Sequence, residues 1–378
     1  MRTSPTAPPF PAVPFLDLAP ANGPLKSEIL ADIGELLDTG AFTNGPLVAR
    51  FEEEFADYCG VSHCVGTSSG LDALRLALQA TGLEPGAEVV VPAITFVATL
   101  EAVTQAGGVP VLVDVSEDDY CVDPDAVAAS VGPRTHSIMP VHLYGQMADV
   151  SAVRSIAASS GIKLIEDACQ AHGAQRSGIG AGQAGVAAAF SFYPGKNLGA
   201  AGDAGALVTS DTDVASRVRA LREHGQTAKY VHAYEGWTAR LDAIQALVLS
   251  HKLPLLDQWN DERRWAAGFY SELLEGVGDL LLPRVATGSA PVWHLYVVRT
   301  ADPDDLARFL RDRGIGTGRH YPDPVHLTPA FSWLGQRPGA HPVAEALARQ
   351  CLSLPLFPGI AEPQLGAVVE GVRSYFDG

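Results

Sequence analysis

SFYPGKNLGAAGDAG, residues 191–205, sets one lysine, Lys196, in glycine-rich surroundings just after the apolar run AGVAAAFSFY (184–193). Lysine is ordinarily a solvated surface residue. At the end of a covered strand, burial pushes its amine toward the neutral, nucleophilic form. The run before it is short and apolar nearly throughout, the mark of a strand in a parallel sheet with both faces packed.

Upstream, the same kind of strand alternates with helices. HCVG (63–66), EVVVP (88–92), VPVLVDV (109–115), HSIMPVHLYG (136–145), KLIED (163–167), VAAAFSFY (186–193) and GALVTS (205–210) read as strands. LDALRLALQA, TLEAVTQAGG, PDAVAASV and DVSAVRSIAASSG read as the helices between them, with Leu71, Leu74 and Leu78 on one face of the first. Strand–helix alternation implies an α/β domain with a mostly parallel sheet. Residues 241–282 read as helices. VWHLYVVR (292–299) then reads as a strand, and DPDDLARFLRDRG, AEALARQCLSL and EPQLGAVVEGVRSYF as helices. The expected organisation is a proline-rich tail over residues 1–13, a large α/β domain over 14–281 and a small α+β domain over 282–378.

Composition narrows the function. A chain of 378 residues that is 47% hydrophobic and 18% charged has room for a substantial core. The formal net charge of -17 opposes nucleic acid or an anionic membrane as the main partner. No stretch has the length of a membrane span, and MRTSPTAPPFPAVPF lacks the apolar region of a signal peptide. Five cysteines without a CxxC fit free thiols in a reducing cytoplasm. The histidines show no metal-ligand spacing, so no metal site is expected.

In a sheet of this class, ligands bind beyond the carboxyl ends of the strands. Four groups of residues stand there. Thr67-Ser68-Ser69-Gly70 opens a helix, where free amides and flanking hydroxyls make a phosphate site. A lone N-cap serine is the plainer reading of that group. Phe96 offers a stacking face, although phenylalanine is more often simple core. Asp167, with Gln170 three residues on, offers a carboxylate for a positively charged ring nitrogen, or merely a helix cap. Lys196 offers the amine, and Ser191 a second hydroxyl for phosphate, or an ordinary strand serine. An amine, a phosphate nest, an acid and a stacking face together are what pyridoxal 5'-phosphate requires for transamination.

Two rival phosphate motifs fail. PGKN lacks the Ser or Thr of a Walker loop, and no glycine stands five residues before Gly195. GAGQAG (180–185) matches G-x-G-x-x-G but follows a polar turn and precedes a strand, so it reads as a flexible loop.

FTNGPLVARFEEEFADYCG, GTSSGLDALRLAL, PAITFVAT, PVHLYGQMAD, LIEDACQAHGA, FSFYPGKNLGAAGDAGA, RLDAIQA, WHLYVVR and HYPDPVH occur in order along the chain. In these stretches the sequence resembles the DegT/DnrJ/StrS-type sugar aminotransferases, which are fold-type I pyridoxal phosphate enzymes. The resemblance implies that Lys196 joins covalently to the cofactor aldehyde and that Asp167 meets the pyridine nitrogen. It implies Gln170 near the ring hydroxyl and Phe96 over the ring, with Ser69, Gly70 and Ser191 on the phosphate. It further implies a homodimer with shared active sites and glutamate as amino donor. The substrate it implies is a nucleotide-linked sugar, most like a dTDP-3-keto-6-deoxyhexose of antibiotic deoxysugar pathways, with His320 and Tyr321 near the sugar. Aminocyclitol aminotransferases share Lys196 and Asp167 and stand as the alternative substrate class. Sugar dehydratases of the family carry histidine in place of the lysine. A cofactor-binding regulator without turnover would need a nucleic-acid-binding element, and none is read here. The family usually places an asparagine, reaching the neighbouring subunit's phosphate, where this chain has Thr238.

Overall fold

The connection after the lysine strand gives the central sheet its shape. In this computed structural model, which describes residues 12–378, seven strands form that sheet. They are β1 (His63–Thr67), β2 (Glu88–Pro92), β3 (Val109–Val113), β4 (Thr135–Ile138), β5 (Lys163–Asp167), β6 (Ala187–Ser191) and β7 (Gly205–Thr209). Their spatial order is β1-β7-β6-β5-β4-β2-β3. Pairing is parallel from β3 through β6, and β7 runs antiparallel to both β6 and β1. The chain between Ser191 and Gly205 carries no helix. A parallel return is usually carried by a crossover helix; with none here, the strand turns straight back and pairs antiparallel. That reversal leaves Lys196 in a loop at the edge where β5 and β6 end.

HSIMPVHLYG is strand only over Thr135–Ile138. His142 N then donates to the Asp167 carbonyl (3.0 Å), and Leu143–Gly145 closes a single tight turn. CLSL, read from sequence as part of a helix, is a strand. Helix Pro342–Gln350 stops and Cys351–Leu354 pairs antiparallel with Tyr296–Arg299. All four residues are buried, so a partner edge outweighed the helical pattern before them.

Two buried clusters make up the interior, one around the central sheet and one around Tyr296, Leu352, Leu354 and helix Glu362–Asp377. Helix Leu256–Leu274, about 28 Å long at the usual rise, serves both. Leu256 lies in the first cluster and Ala266, Ala267, Tyr270 and Leu274 in the second. The second core therefore begins upstream of residue 282. Val13, placed by the sequence reading in the tail, belongs to this core as well: it is fully buried and bridges to Ile315. Residues 1–11 of that tail lie outside the described residues.

The GAGQAG loop has a structural occupant in place of a ligand. Glu166, next to Asp167 on β5, has no exposed surface. Its carboxylate accepts from Gly182 N (3.1 Å), Ala184 N (2.8 Å), Gly185 N (2.8 Å) and His142 Nε2 (2.9 Å). His142 Nδ1 accepts from Ala148 N (3.3 Å), so the imidazole hydrogen stands on Nε2. Gly182 has φ +99°, and a Cβ at Gly185 would stand 2.5 Å from the Leu164 carbonyl oxygen, so both positions call for glycine. The loop expected to be flexible is wrapped around a buried anion.

Glu166→Gln turns an amide N–H₂ toward backbone donors. It is expected to cost about 2–4 kcal/mol, seen as a lower urea midpoint at unchanged slope; an unchanged midpoint would contradict the nest. Gly205→Ala should be poorly tolerated, because its Cβ would collide with the Ser69 carbonyl group. Gly34→Ala, on helix Lys26–Thr39 with open space around it, is expected to raise stability by about 0.5–1 kcal/mol. Equal melting shifts for the two would remove the steric argument.

Candidate active site

Helix Gly70–Ala80 packs its first turn against β6 and β7. A Cβ at Gly70 would stand 2.6 Å from Cys169 Sγ and 2.8 Å from Ser191 Cβ, so only glycine fits. Ser69 caps the helix: Asp72 N donates to Ser69 Oγ (3.1 Å) and Ala73 N to the Ser69 carbonyl (3.0 Å). The amides of Gly70 and Leu71 are left as the open donors of the turn. The helix dipole adds partial positive charge there, an arrangement suited to phosphate. Ser191, at the end of β6, lies against Gly70, and its hydroxyl accepts from Tyr193 N (3.4 Å).

Asp167 closes β5 and is 5% exposed. Thr99 Oγ1 donates to its Oδ2 (2.8 Å) and Cys169 N to its Oδ1 (3.2 Å), while Thr95 holds the Thr99 hydroxyl at 2.9 Å. These contacts aim the carboxylate off the strand tip. Gln170 is turned by two contacts: its Oε1 accepts from Tyr144 N (2.7 Å) and its Nε2 donates to Tyr321 Oη (3.2 Å). Phe96 is 52% exposed, and its ring centroid lies 5.8 Å from that of Tyr321. Burial raises the Tyr321 phenol above its ordinary range.

Lys196 follows a turn closed by its own N–H to the Tyr193 carbonyl (2.8 Å), with Pro194 fixing the second position. By accessible area it is only half-buried, yet its surroundings are packed closely enough that desolvation lowers the amine pKa. Cys169 and Asp167 pull the other way, and burial prevails. Behind the turn runs a buried amide chain. Asn197 Nδ2 donates to Asn260 Oδ1 (2.9 Å) and to the Val292 carbonyl (2.8 Å). Asn260 Nδ2 donates to the His172 carbonyl (2.9 Å), and His172 Nε2 donates to the Ser191 carbonyl (2.9 Å). Burial and the Lys196 charge hold His172 down at about 3, so it is neutral at ordinary pH. Lys252 Nζ donates to the Gly199 carbonyl (2.7 Å) and steadies the far end of the loop.

The structure thus brings Ser69, Gly70, Ser191, Lys196, Asp167, Gln170, Phe96 and Tyr321 to one edge of the sheet. His320 joins them, with Nδ1 2.8 Å from Ser353 Oγ. Thr238 stands apart: it is exposed, and its hydroxyl lies 3.1 Å from His224 Nε2. Sequence reasoning missed Thr99, Cys169, Asn197 and Asn260. Thr99 and Cys169 flank recognised residues in PAITFVAT and LIEDACQ, and Asn197 adjoins Lys196. Asn260 sits in an ordinary helix and gave no signal. An open cleft of about 530 Å³, lined by Asn44, Glu52, Arg219 and Arg222 among others, shares no residue with this constellation. Chemistry, rather than cavity size, points to the lysine edge. Among the described residues no cluster of metal-ligating side chains occurs and no helix is long and apolar enough to cross a membrane.

The arrangement has close counterparts among known proteins. The chain is 47% identical over 365 residues to dTDP-3-amino-3,4,6-trideoxy-alpha-D-glucose transaminase of Streptomyces venezuelae, covering 97% of this chain and 96% of that one. The crystal structure of S. venezuelae DesV in complex with a ketimine intermediate matches with TM-score 0.95 at 47% identity, covering 97% of this chain and 99% of that one. The structure of NtdA from Bacillus subtilis with bound cofactor PMP matches with TM-score 0.89 at 32% identity, over 97% of this chain and 86% of that one. Residues 24–373 match the model of the DegT/DnrJ/EryC1/StrS aminotransferase family. The fold-type I architecture expected from the sequence is the one present, and the chain belongs to that aminotransferase family.

Proposed function

We propose that the chain uses pyridoxal 5'-phosphate to move an amino group, taken from glutamate, onto a dTDP-linked 3-keto-6-deoxyhexose. The observation that carries this reading is an amine of lowered pKa, Lys196, sharing one sheet edge with a buried carboxylate, Asp167, and a helix N-terminus with two open amides. The residues fit the group. Glycine at 70 and 205 lets backbone approach closely, and Ser69 and Ser191 add hydroxyls beside the open amides. Phe96 leaves a ring face uncovered. When bound, the cofactor supplies an aldehyde and an electron-withdrawing ring.

Each residue then has a task. Asp167 keeps a proton on the ring nitrogen, and Thr99 and Cys169 N hold its two oxygens in line. Lys196 Nζ, easily deprotonated, carries a proton to and from the substrate carbon. Gln170 Nε2 and Tyr321 Oη present polar atoms to the ring hydroxyl and sugar side. The substrate class follows the transaminase relative and the HYPDPVH stretch that holds His320 and Tyr321. The homodimer is supported by large apolar side chains left open, with Leu30 56%, Leu37 65%, Tyr230 81% and Val231 54% exposed. Thr238, exposed beside His224, is read as reaching the neighbouring subunit's phosphate, with a hydroxyl in place of the family's longer amide.

Lys196→Ala is expected to purify folded, to bind no cofactor covalently and to lose turnover; an alanine variant that transaminates at the parent rate would remove Lys196 from the chemistry. Asp167→Asn is expected to retain cofactor yet fall at least about 100-fold in rate. A rate within a factor of two of the parent would show that the ring nitrogen needs no acid. Mass spectrometry after incubation with glutamate and a panel of keto-sugar nucleotides and a keto-cyclitol tests the substrate. Amination of a dTDP-keto-sugar supports the assignment, and amination of the cyclitol alone contradicts it.

A further inference from the structure

Residues 12–16 lie as a strap joining the second core to the lysine turn. Val13 is fully buried; its N–H donates to the Gly314 carbonyl (2.9 Å), and Gly316 N donates to the Val13 carbonyl (2.8 Å). Two residues on, the Phe15 ring stacks on His320 with centroids 5.5 Å apart and planes 20° from parallel. A Cβ at Gly318 would stand 2.7 Å from His320 Cε1 and 3.3 Å from Phe15 Cζ, and one at Gly316 would stand 2.6 Å from Phe15 N. Both glycines leave room for the stack. Leu16 Cδ2 reaches within 3.2 Å of where a Cβ on Gly195 would be, beside Lys196.

His320 is thereby held on three sides: Phe15 covers one face, Ser353 Oγ meets Nδ1 (2.8 Å), and Tyr321 meets the ring edge-on at 5.6 Å. Its carbonyl accepts from the Tyr144 hydroxyl. Nε2 is the ring's remaining polar atom. We propose that Phe15 is a positioning residue: its ring holds the His320 imidazole in one orientation, shielded from water, so that Nε2 is presented to the keto-sugar. This rests on the proposed sugar-side place of His320. The electrostatics agree. Burial, with the nearby Lys196 charge, pushes the His320 imidazole down to about 4, and His320 in turn helps to depress His294. Tyr321 and Tyr144, both raised by burial, add no charge. A strap that covers the ring keeps it uncharged across the neutral range.

The test is histidine NMR on the full-length protein between pH 5 and 8, with His320→Gln used to assign the signal. In the parent, His320 is expected not to titrate in that window. In Phe15→Ala, loss of the cover should bring its midpoint into the window, a rise of about one unit or more toward the ordinary value. The same variant is expected to raise KM for the keto-sugar about three- to tenfold, the size of one aromatic stacking contact, and to leave the amino-donor half-reaction unchanged. Phe15→Tyr should restore both. Should Phe15→Ala fail to fold, Phe15→Leu, which keeps apolar volume without a ring, gives the same readouts. A His320 signal that stays silent in the truncated variant overturns the proposal. So does a shifted titration with unchanged keto-sugar KM, which would reduce Phe15 to packing. If the parent aminates no keto-sugar at all, the substrate reading fails, while the titration still reports on the strap.

Discussion

An ammonium group moved out of water must find a counter-charge or give up its proton more easily. At Lys196, Asp167 and Cys169 favour the charged form, and burial outweighs them. Several neighbouring features bear on that balance. The short, helix-free connection from β6 to β7 places the amine at the carboxyl edge. The amide chain through Asn197 and Asn260 holds the turn without adding charge, and His172 beside it is neutral. Two further buried cations nearby are spent on backbone carbonyls, Lys252 on Gly199 and Arg263 on Trp293, His294 and Leu356.

The second constraint is close backbone approach. Gly70 and Gly205 let a helix start, a reversed strand and the end of β6 meet with no side chain between them. The helix start is thereby set against Cys169 and Ser191, at the edge that carries the lysine and Asp167. Anion binding at a helix N-terminus depends on close backbone approach of this kind, and a Cβ on either glycine would clash with the neighbouring chain. Glu166 shows the same physics used for structure. A glycine-rich loop gathers three amides around a buried carboxylate one residue from Asp167 and steadies the tip of β5.

Much of this was legible in the sequence. Seven apolar runs between amphipathic helices gave the parallel sheet, and residues just past the strand ends gave Asp167, Lys196 and the Ser69-Gly70 turn. Ordered motifs along the chain gave the family. What escaped depends on tertiary partners. CLSL continues a helical pattern and becomes a strand because Tyr296–Arg299 offers an edge. Val13 looks like tail until Ile315 pairs with it. GAGQAG reads as a loose loop because the anion it surrounds lies on a different strand. Asn260 and Phe15 carry no local mark of their place near the site, since only long-range packing brings them there.

The most direct test of the central claim is chemical. The purified protein, given pyridoxal 5'-phosphate, is reduced with borohydride, digested and mapped by mass spectrometry. The account predicts one fixed label, on the Lys196 side chain, and a coloured protein before reduction. A colourless protein with no label there, or a label confined to Lys252 or surface lysines, would contradict it.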